Sequence, residues 1–193
     1  ALAVSLPLGI FTARRPAISG PALTAASVMQ TIPALALLAL MVPLLGGMIG
    51  FLPAFVALTL YGVLPVLRNT IVALQAVDPG VREAARGVGM TPMQSLMRVD
   101  LPLALPTIVA GVRTATVWVV GAATLATPVG ATSLGNYIFA GLQTRNWAMV
   151  IFGCVASAVL ALSLDQLIRL TEQAAAERRR WLAGLAGAGL AVL

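Results

Sequence analysis

Ionisable side chains are scarce in this sequence, and what they can do narrows its chemistry. Twelve arginines face six aspartates and glutamates, with no lysine and no histidine, for a net charge of +6. One cysteine, Cys154, lies inside an apolar run, so neither a disulfide framework nor a zinc or haem centre has its donors. No nucleophile–base pairing stands out, so no catalytic residue is expected. The longest polar stretch is DPGVREAARGVGMTPMQSLMRVDLP, from Asp78 to Pro102, with Arg82, Glu83, Arg86, Arg98 and Asp100. Carboxylates and guanidinium groups spaced in this way suit charge-assisted recognition rather than reaction.

The elements that must hold these residues read as two short helices joined by a turn. Asp78 caps the first, and Pro79 takes its first position, where a missing N–H costs nothing. Gly87 and Gly89 loosen its end. Thr91 caps the second, Pro92 follows at its first position, and Gln94 completes a Thr-x-x-Gln capping box. Pro102 is expected to stop or kink that helix. A capped helix pair between apolar runs presents a surface that a partner in water can grip. The competing reading is an amphipathic connector lying on the membrane.

The rest of the chain is a membrane protein by composition. It is 60% hydrophobic and 9% charged, against roughly 45–50% and about 25% in soluble domains. Its apolar runs are continuous rather than alternating, so they predict helices and not strands. Residues 1–11 read as the end of a span closed by Arg14, Arg15 and Pro16. The second run, 24–50, holds Pro33 and Pro43, which should kink it, and ends in Gly46, Gly47 and Gly50. The third, 51–66, leaves through Pro65, Arg68 and Asn69, with 67–70 extending it. The fourth runs from 103 to 126. Residues 127–146 are polar and Gly-rich. No Gly-Lys-Ser/Thr follows them, so they are no phosphate loop; a re-entrant or extracytoplasmic loop with a helix over 134–142 is expected. The fifth run, 147–168, starts at an interfacial Trp147. A sixth, 181–193, stops short. The chain reads as one transmembrane domain, 1–193, cut from a longer protein.

Arg113 sits inside the fourth run. Either it snorkels to the near interface, or it pairs with Asp100 or Glu83 and braces the polar stretch. Gly111, Ala115, Gly121, Ala122, Ala123, Gly153, Ala156 and Ala158 permit close helix approach, but a general Ala and Gly bias accounts for them equally.

The polar stretch resembles the EAA loop of ABC importer permeases, E-A-A-x3-G-x9-I-x-L-P. Glu83, Ala84, Ala85, Gly89, Leu101 and Pro102 match, and Val99 replaces the isoleucine. QTIPALALLAL at 30–40, LRNTIVALQAVDP at 67–79 and LPLALPTIVAGVRTATV at 101–117 are similar to the osmoprotectant permeases for glycine betaine, carnitine and choline. Gly130-Ala131-x-x-Leu134-Gly135 resembles their Gly-Ala-Gly-Gly-Leu-Gly stretch, with Thr132 and Ser133 in place of two glycines.

The resemblance implies an all-α, polytopic bundle of about five spans plus partial terminal segments, the type I ABC permease fold. It implies a cytoplasmic loop over 70–102 that docks on an ATPase through Arg82, Glu83, Ala84, Ala85, Gly89, Met90, Thr91, Pro92, Met93, Leu101 and Pro102. Glu83 would bond to an arginine of that partner, or locally to Arg86 or Arg82. Gln30, Thr31, Asn69, Thr114, Thr116, Asn136 and Tyr137 are candidates for the translocation pathway.

The implied partners are an ATPase dimer carrying ATP and Mg, a second permease copy or paralogue, a solute-binding protein or fused domain, and the lipid bilayer; nucleic acid is not one. The implied location is the inner membrane of a bacterium or archaeon. With the loop cytoplasmic, strict alternation puts eleven arginines inside or nearest that side and only Arg145 outside. Alternatives are a permease for another solute such as methionine, a scaffold that recruits a soluble partner without transport, and a secondary transporter. The last would need an intramembrane coupling-ion site, for which Arg113 and Asp165 are poorly placed.

Overall fold

The computed structural model describes residues 1–176, and among these every regular element is helical. In chain order they are α1 (Leu2–Ala13), α2 (Pro16–Gln30), α3 (Ala34–Leu44), α4 (Phe51–Gln75), α5 (Pro79–Gly87), α6 (Pro92–Ser95), α7 (Leu101–Thr124), α8 (Gly135–Gln143) and α9 (Trp147–Ala176). A π turn, Leu96–Asp100, joins α6 to α7, so that Pro92–Thr124 runs as one helix of 33 residues. Three helices are long and apolar enough to cross a membrane: Phe51–Gln75, Pro92–Thr124 and Trp147–Leu170. The pair α2–α3 counts as a fourth only when it is taken as one broken span rather than a re-entrant loop. The expected run over 181–193 lies outside the described residues.

Prolines decide where the expected boundaries shift. Pro33 breaks the second run outright. It caps α3 with an extended backbone, φ −57° and ψ 135°, and a proline disfavours helical geometry at the residue before it. The first part of that run belongs to a helix beginning at Pro16. Pro65, by contrast, does not end the third run; α4 passes through it to Gln75. Membrane helices tolerate such prolines because nearby groups re-satisfy the freed backbone. Pro102 neither stops nor ends its helix. The π turn just before it widens the ladder by one residue, with Leu101 N–H bonded to Leu96 O, and α7 continues.

The chain forms two compact units. One comprises Ala1–Met29 and Val63–Val112; the other comprises Gln30–Gly62 and the chain from Arg113 onward. In the first, Ala73 and Leu74 of α4, Leu96 of the π turn, and Ala104 and Ile108 of α7 form the core, with Leu6, Ile10 and Ala13 of α1 packed on it. Two glycines set the helix spacing there. A Cβ on Gly9 would lie 2.8 Å from Thr70, and one on Gly111 would lie 2.5 Å from Asn69. The helices can approach only because those positions are bare.

In the second unit, Leu37, Leu38 and Met41 of α3 pack with Ala54 and Ala57 of α4 and with Ala126 and Val129. Gly153 of α9 plays the spacing role, since a Cβ there would lie 2.7 Å from Ile138. Gly121 has open space around it, so the small residues of these runs are not equivalent. Of the three long spans α9 is the least covered, with only 6% of its apolar window buried.

Candidate functional site

The helix pair expected between Asp78 and Pro102 forms in the first unit as α5 and α6, and local chemistry explains its shape. Asp78 Oδ1 accepts from Gly80 N–H at 2.6 Å, with Pro79 next to it at the helix start. At the other end of α5, Met90 N–H bonds to Ala85 O and Gly89 N–H bonds to Arg86 O. This six-to-one, five-to-two pattern is a Schellman closure, which needs a left-handed residue at its centre. Gly89 supplies it with φ +82°. Nothing lies within 4 Å of a Cβ placed there, so the demand for glycine is conformational and not steric. Thr91 then caps α6: its Oγ1 accepts from Gln94 N–H at 3.3 Å, and Gln94 Oε1 accepts from Thr91 N–H at 2.9 Å.

Tertiary contacts fix the pair to its surroundings. Arg82 Nε donates to Asp100 Oδ1 at 3.0 Å, and its Nη2 donates to Leu74 O at the end of α4. Asp100 is buried. Arg14, just past α1, donates to Pro92 O at 2.9 Å. Ala85 and Leu96 point into the core. Glu83, Ala84, Val88, Gly89, Thr91, Pro92, Met93 and Met97 are exposed, and Met90 and Leu101 are half-buried, with Pro102 exposed beyond them. The local alternative for Glu83, pairing with Arg82 or Arg86, does not form among the described residues; Arg82 pairs instead with Asp100. Arg82, Arg86, Arg14, Asp100, Met90 and Ser95 line a cleft of about 540 Å³.

Arg113 has a different partner from the acids expected of it. In the second unit its Nε and Nη2 donate to the two carboxylate oxygens of Asp165, each at 2.9 Å. This bidentate pair joins α7 to α9. Asp100 is engaged with Arg82, and Glu83 stays exposed, so the bracing role assigned to either acid is overturned.

The proposed pathway residues are divided between the two units. Asn69 lies in the first unit, where its Nδ2 donates to Pro65 O at 2.8 Å and its Cβ packs on Gly111. The others belong to the second unit. Gln30 ends α2 half-buried, and Thr31 is exposed in the break after it. Thr114 is exposed and Thr116 half-buried on α7, each already in a polar contact. The Tyr137 ring meets Phe152 edge-on at 5.1 Å.

Asn136 belongs to a knot that also includes Thr127 and Ser133, two residues sequence reasoning passed over. Asn136 Oδ1 accepts from Ser133 N–H and from Thr127 Oγ1, both at 2.9 Å. The Thr127 proton is thereby used, so Ser133 Oγ donates to Thr127 Oγ1 at 3.0 Å and accepts from Gly135 N–H at 3.1 Å. The Ser-x-x-Asn spacing was the available signal, since it repeats the reciprocal logic of a capping box. Among the described residues no group of acidic, His or Cys side chains could hold a metal.

Residues 5–177 match the family described as binding-protein-dependent transport system inner membrane component. The chain belongs to that family. A choline transport system permease protein of Bacillus subtilis is 41% identical to this inner-membrane component over 170 residues, covering 88% of this chain and 77% of that protein. An osmoprotectant import permease protein of Salmonella typhimurium is 42% identical over 171 residues, covering 87% and 80%. A carnitine transport permease protein of Listeria monocytogenes is 39% identical over 183 residues, covering 92% and 83%. Among solved structures, a chain from an inward-facing conformation of the MetNI methionine ABC transporter superposes with a TM-score of 0.72 and 26% identity, covering 87% of this chain and 86% of that one. The expected fold stands: this is an all-helical permease of the ABC importer type. The curated relatives are permease proteins, a class that moves solutes and is not itself enzymatic.

Proposed function

We propose that this chain is the permease subunit of an ATP-driven importer for a small osmoprotectant: glycine betaine, choline or carnitine. The observation that carries the proposal is the capped helix pair from Asp78 to Asp100, with the Glu-Ala-Ala…Gly spacing and an exposed outer edge of Glu83, Val88, Met93 and Met97. The substrate class rests on the names of relatives at 37–43% identity. The loop faces the cytoplasm, in keeping with the arginine bias, and docks on a separate ATPase dimer that holds ATP and Mg. Methionine side chains on the exposed edge suit an adaptable apolar contact, and Glu83 supplies a free carboxylate.

A second permease copy or a paralogue completes the pathway. ATP binding draws the ATPases together, the helix pairs follow as rigid bodies, and the cavity changes the side to which it opens. A quaternary ammonium binds best against aromatic faces, and this chain is only 5% aromatic. High-affinity recognition therefore belongs to a solute-binding protein or fused domain, and the pathway binds weakly. The similarity to the methionine transporter favours a second reading, an amino-acid substrate.

Uptake of radiolabelled choline, glycine betaine, carnitine and methionine into proteoliposomes containing the assembled transporter separates these readings. ATP-dependent uptake of one of the first three is expected. Uptake of methionine alone would sink the osmoprotectant assignment, and failure to associate with any ATPase would sink the importer.

A further inference from the structure

The cleft beneath the helix pair has an uneven charge. Arg14, Arg82 and Arg86 line it, against the single carboxylate of Asp100. Arg82 is already committed to Asp100 and to the Leu74 carbonyl. Arg14 spends one donor on Pro92 O, a neutral acceptor. Arg86 is exposed, and no carboxylate among the described residues pairs with it. Two guanidinium groups thus converge on one space without a counter-charge, beside the hydroxyl of Ser95. At about 540 Å³ the cleft falls within the range of small-ligand sites. Planar guanidinium forks favour phosphate. No aromatic side chain lines the cleft to stack a base, which disfavours a nucleotide. The remaining wall is apolar, with Ala13, Leu74, Leu96 and Met90, and it opens beside the end of apolar helix α1. Basic pockets between membrane helices at the cytoplasmic side take lipid headgroups.

We propose that this cleft binds the phosphate of an anionic phospholipid, held by Arg14 and Arg86. The site tethers the helix pair to the membrane surface, whatever solute the protein carries.

The test is a titration of the purified, detergent-solubilised transporter with fluorescent phosphatidylglycerol, with phosphatidylcholine as comparison. The wild type should bind phosphatidylglycerol in preference. Each lost cationic contact should weaken binding roughly fivefold, so R14Q/R86Q should bind roughly thirtyfold more weakly. R68Q/R98Q removes the same charge at exposed positions outside the cleft and should bind like the wild type. R86Q alone breaks no hydrogen bond or ion pair among the described residues, so its expected fivefold loss reads the site with little cost to folding. Equal affinity in wild type and R86Q, or equal losses in the two double variants, would overturn the site. Full displacement of the lipid by millimolar inorganic phosphate, with the same dependence on Arg86, would overturn the lipid as the source and support a site for free phosphate.

Discussion

Replacing Asp165 by asparagine should destabilise the protein through a charge left behind on another helix. The Arg113–Asp165 pair is bidentate, both bonds are 2.9 Å, and the two side chains are 30% and 19% exposed. Truncating one partner of a fully buried pair costs about 3–5 kcal/mol, whereas a surface pair is worth about 0–1 kcal/mol. Partial exposure puts Asp165→Asn between these limits, at about 2 kcal/mol, or roughly thirtyfold in the unfolding equilibrium. Arg113→Met should cost at least as much, because the carboxylate it strands is the less exposed of the two groups. The double variant Arg113→Met, Asp165→Leu removes both charges and should return to within about 1 kcal/mol of the wild type. Unfolding of the purified protein in mixed micelles, followed by helical circular dichroism, measures all three. Additive losses, with the double variant as unstable as the sum of the singles, would refute the argument that the stranded charge, and not lost packing, is the cost.

Gly89→Val should cost about 1–2 kcal/mol from left-handed strain alone, whereas Gly87→Ala, a helical position with open space, should gain up to about 1 kcal/mol; amide exchange in α5 reads both. Gly135→Ala would place a Cβ 1.8 Å from the Thr124 carbonyl oxygen and should abolish accumulation in the membrane, while Gly121→Ala should accumulate normally. Asp78→Ala and Thr91→Ala should each cost about 1 kcal/mol, seen as faster exchange confined to the first turns of α5 and α6 respectively.

What could be read from the chain and what could not divide by the distance over which each contact acts. The caps at Asp78 and Thr91 and the glycine turn at Gly89 act over two to five residues, so their geometry was legible. The helix over 135–143 was legible for the same reason. The partner of Arg113 lies 52 residues away, and no local pattern chooses Asp165 over Asp100. Prolines misled in two directions. Pro33 breaks a helix where a kink was expected, while Pro65 and Pro102 sit inside continuous ones. The outcome depends on whether neighbours re-satisfy the freed backbone, and that is tertiary information. Gly111 and Gly121 look alike in sequence; only packing against Asn69 separates them. Ser133 was read, with Thr132, as a departure from a glycine pattern, when its hydroxyl bonds to Thr127 and to the Gly135 N–H within the loop.

Arg82 gives the loop a mechanical character. One guanidinium is bonded both to the carbonyl of Leu74, where the chain leaves α4, and to the carboxylate of Asp100, where it enters α7. The segment between is therefore a closed ring, clasped at its neck. A load applied on that ring reaches both shafts through this clasp, beside the direct packing of Ala73 and Leu74 on Ala104 and Ile108. Lysine at that position would keep the charge but could not hold two acceptors with the same planar fork, and the clasp would become a hinge.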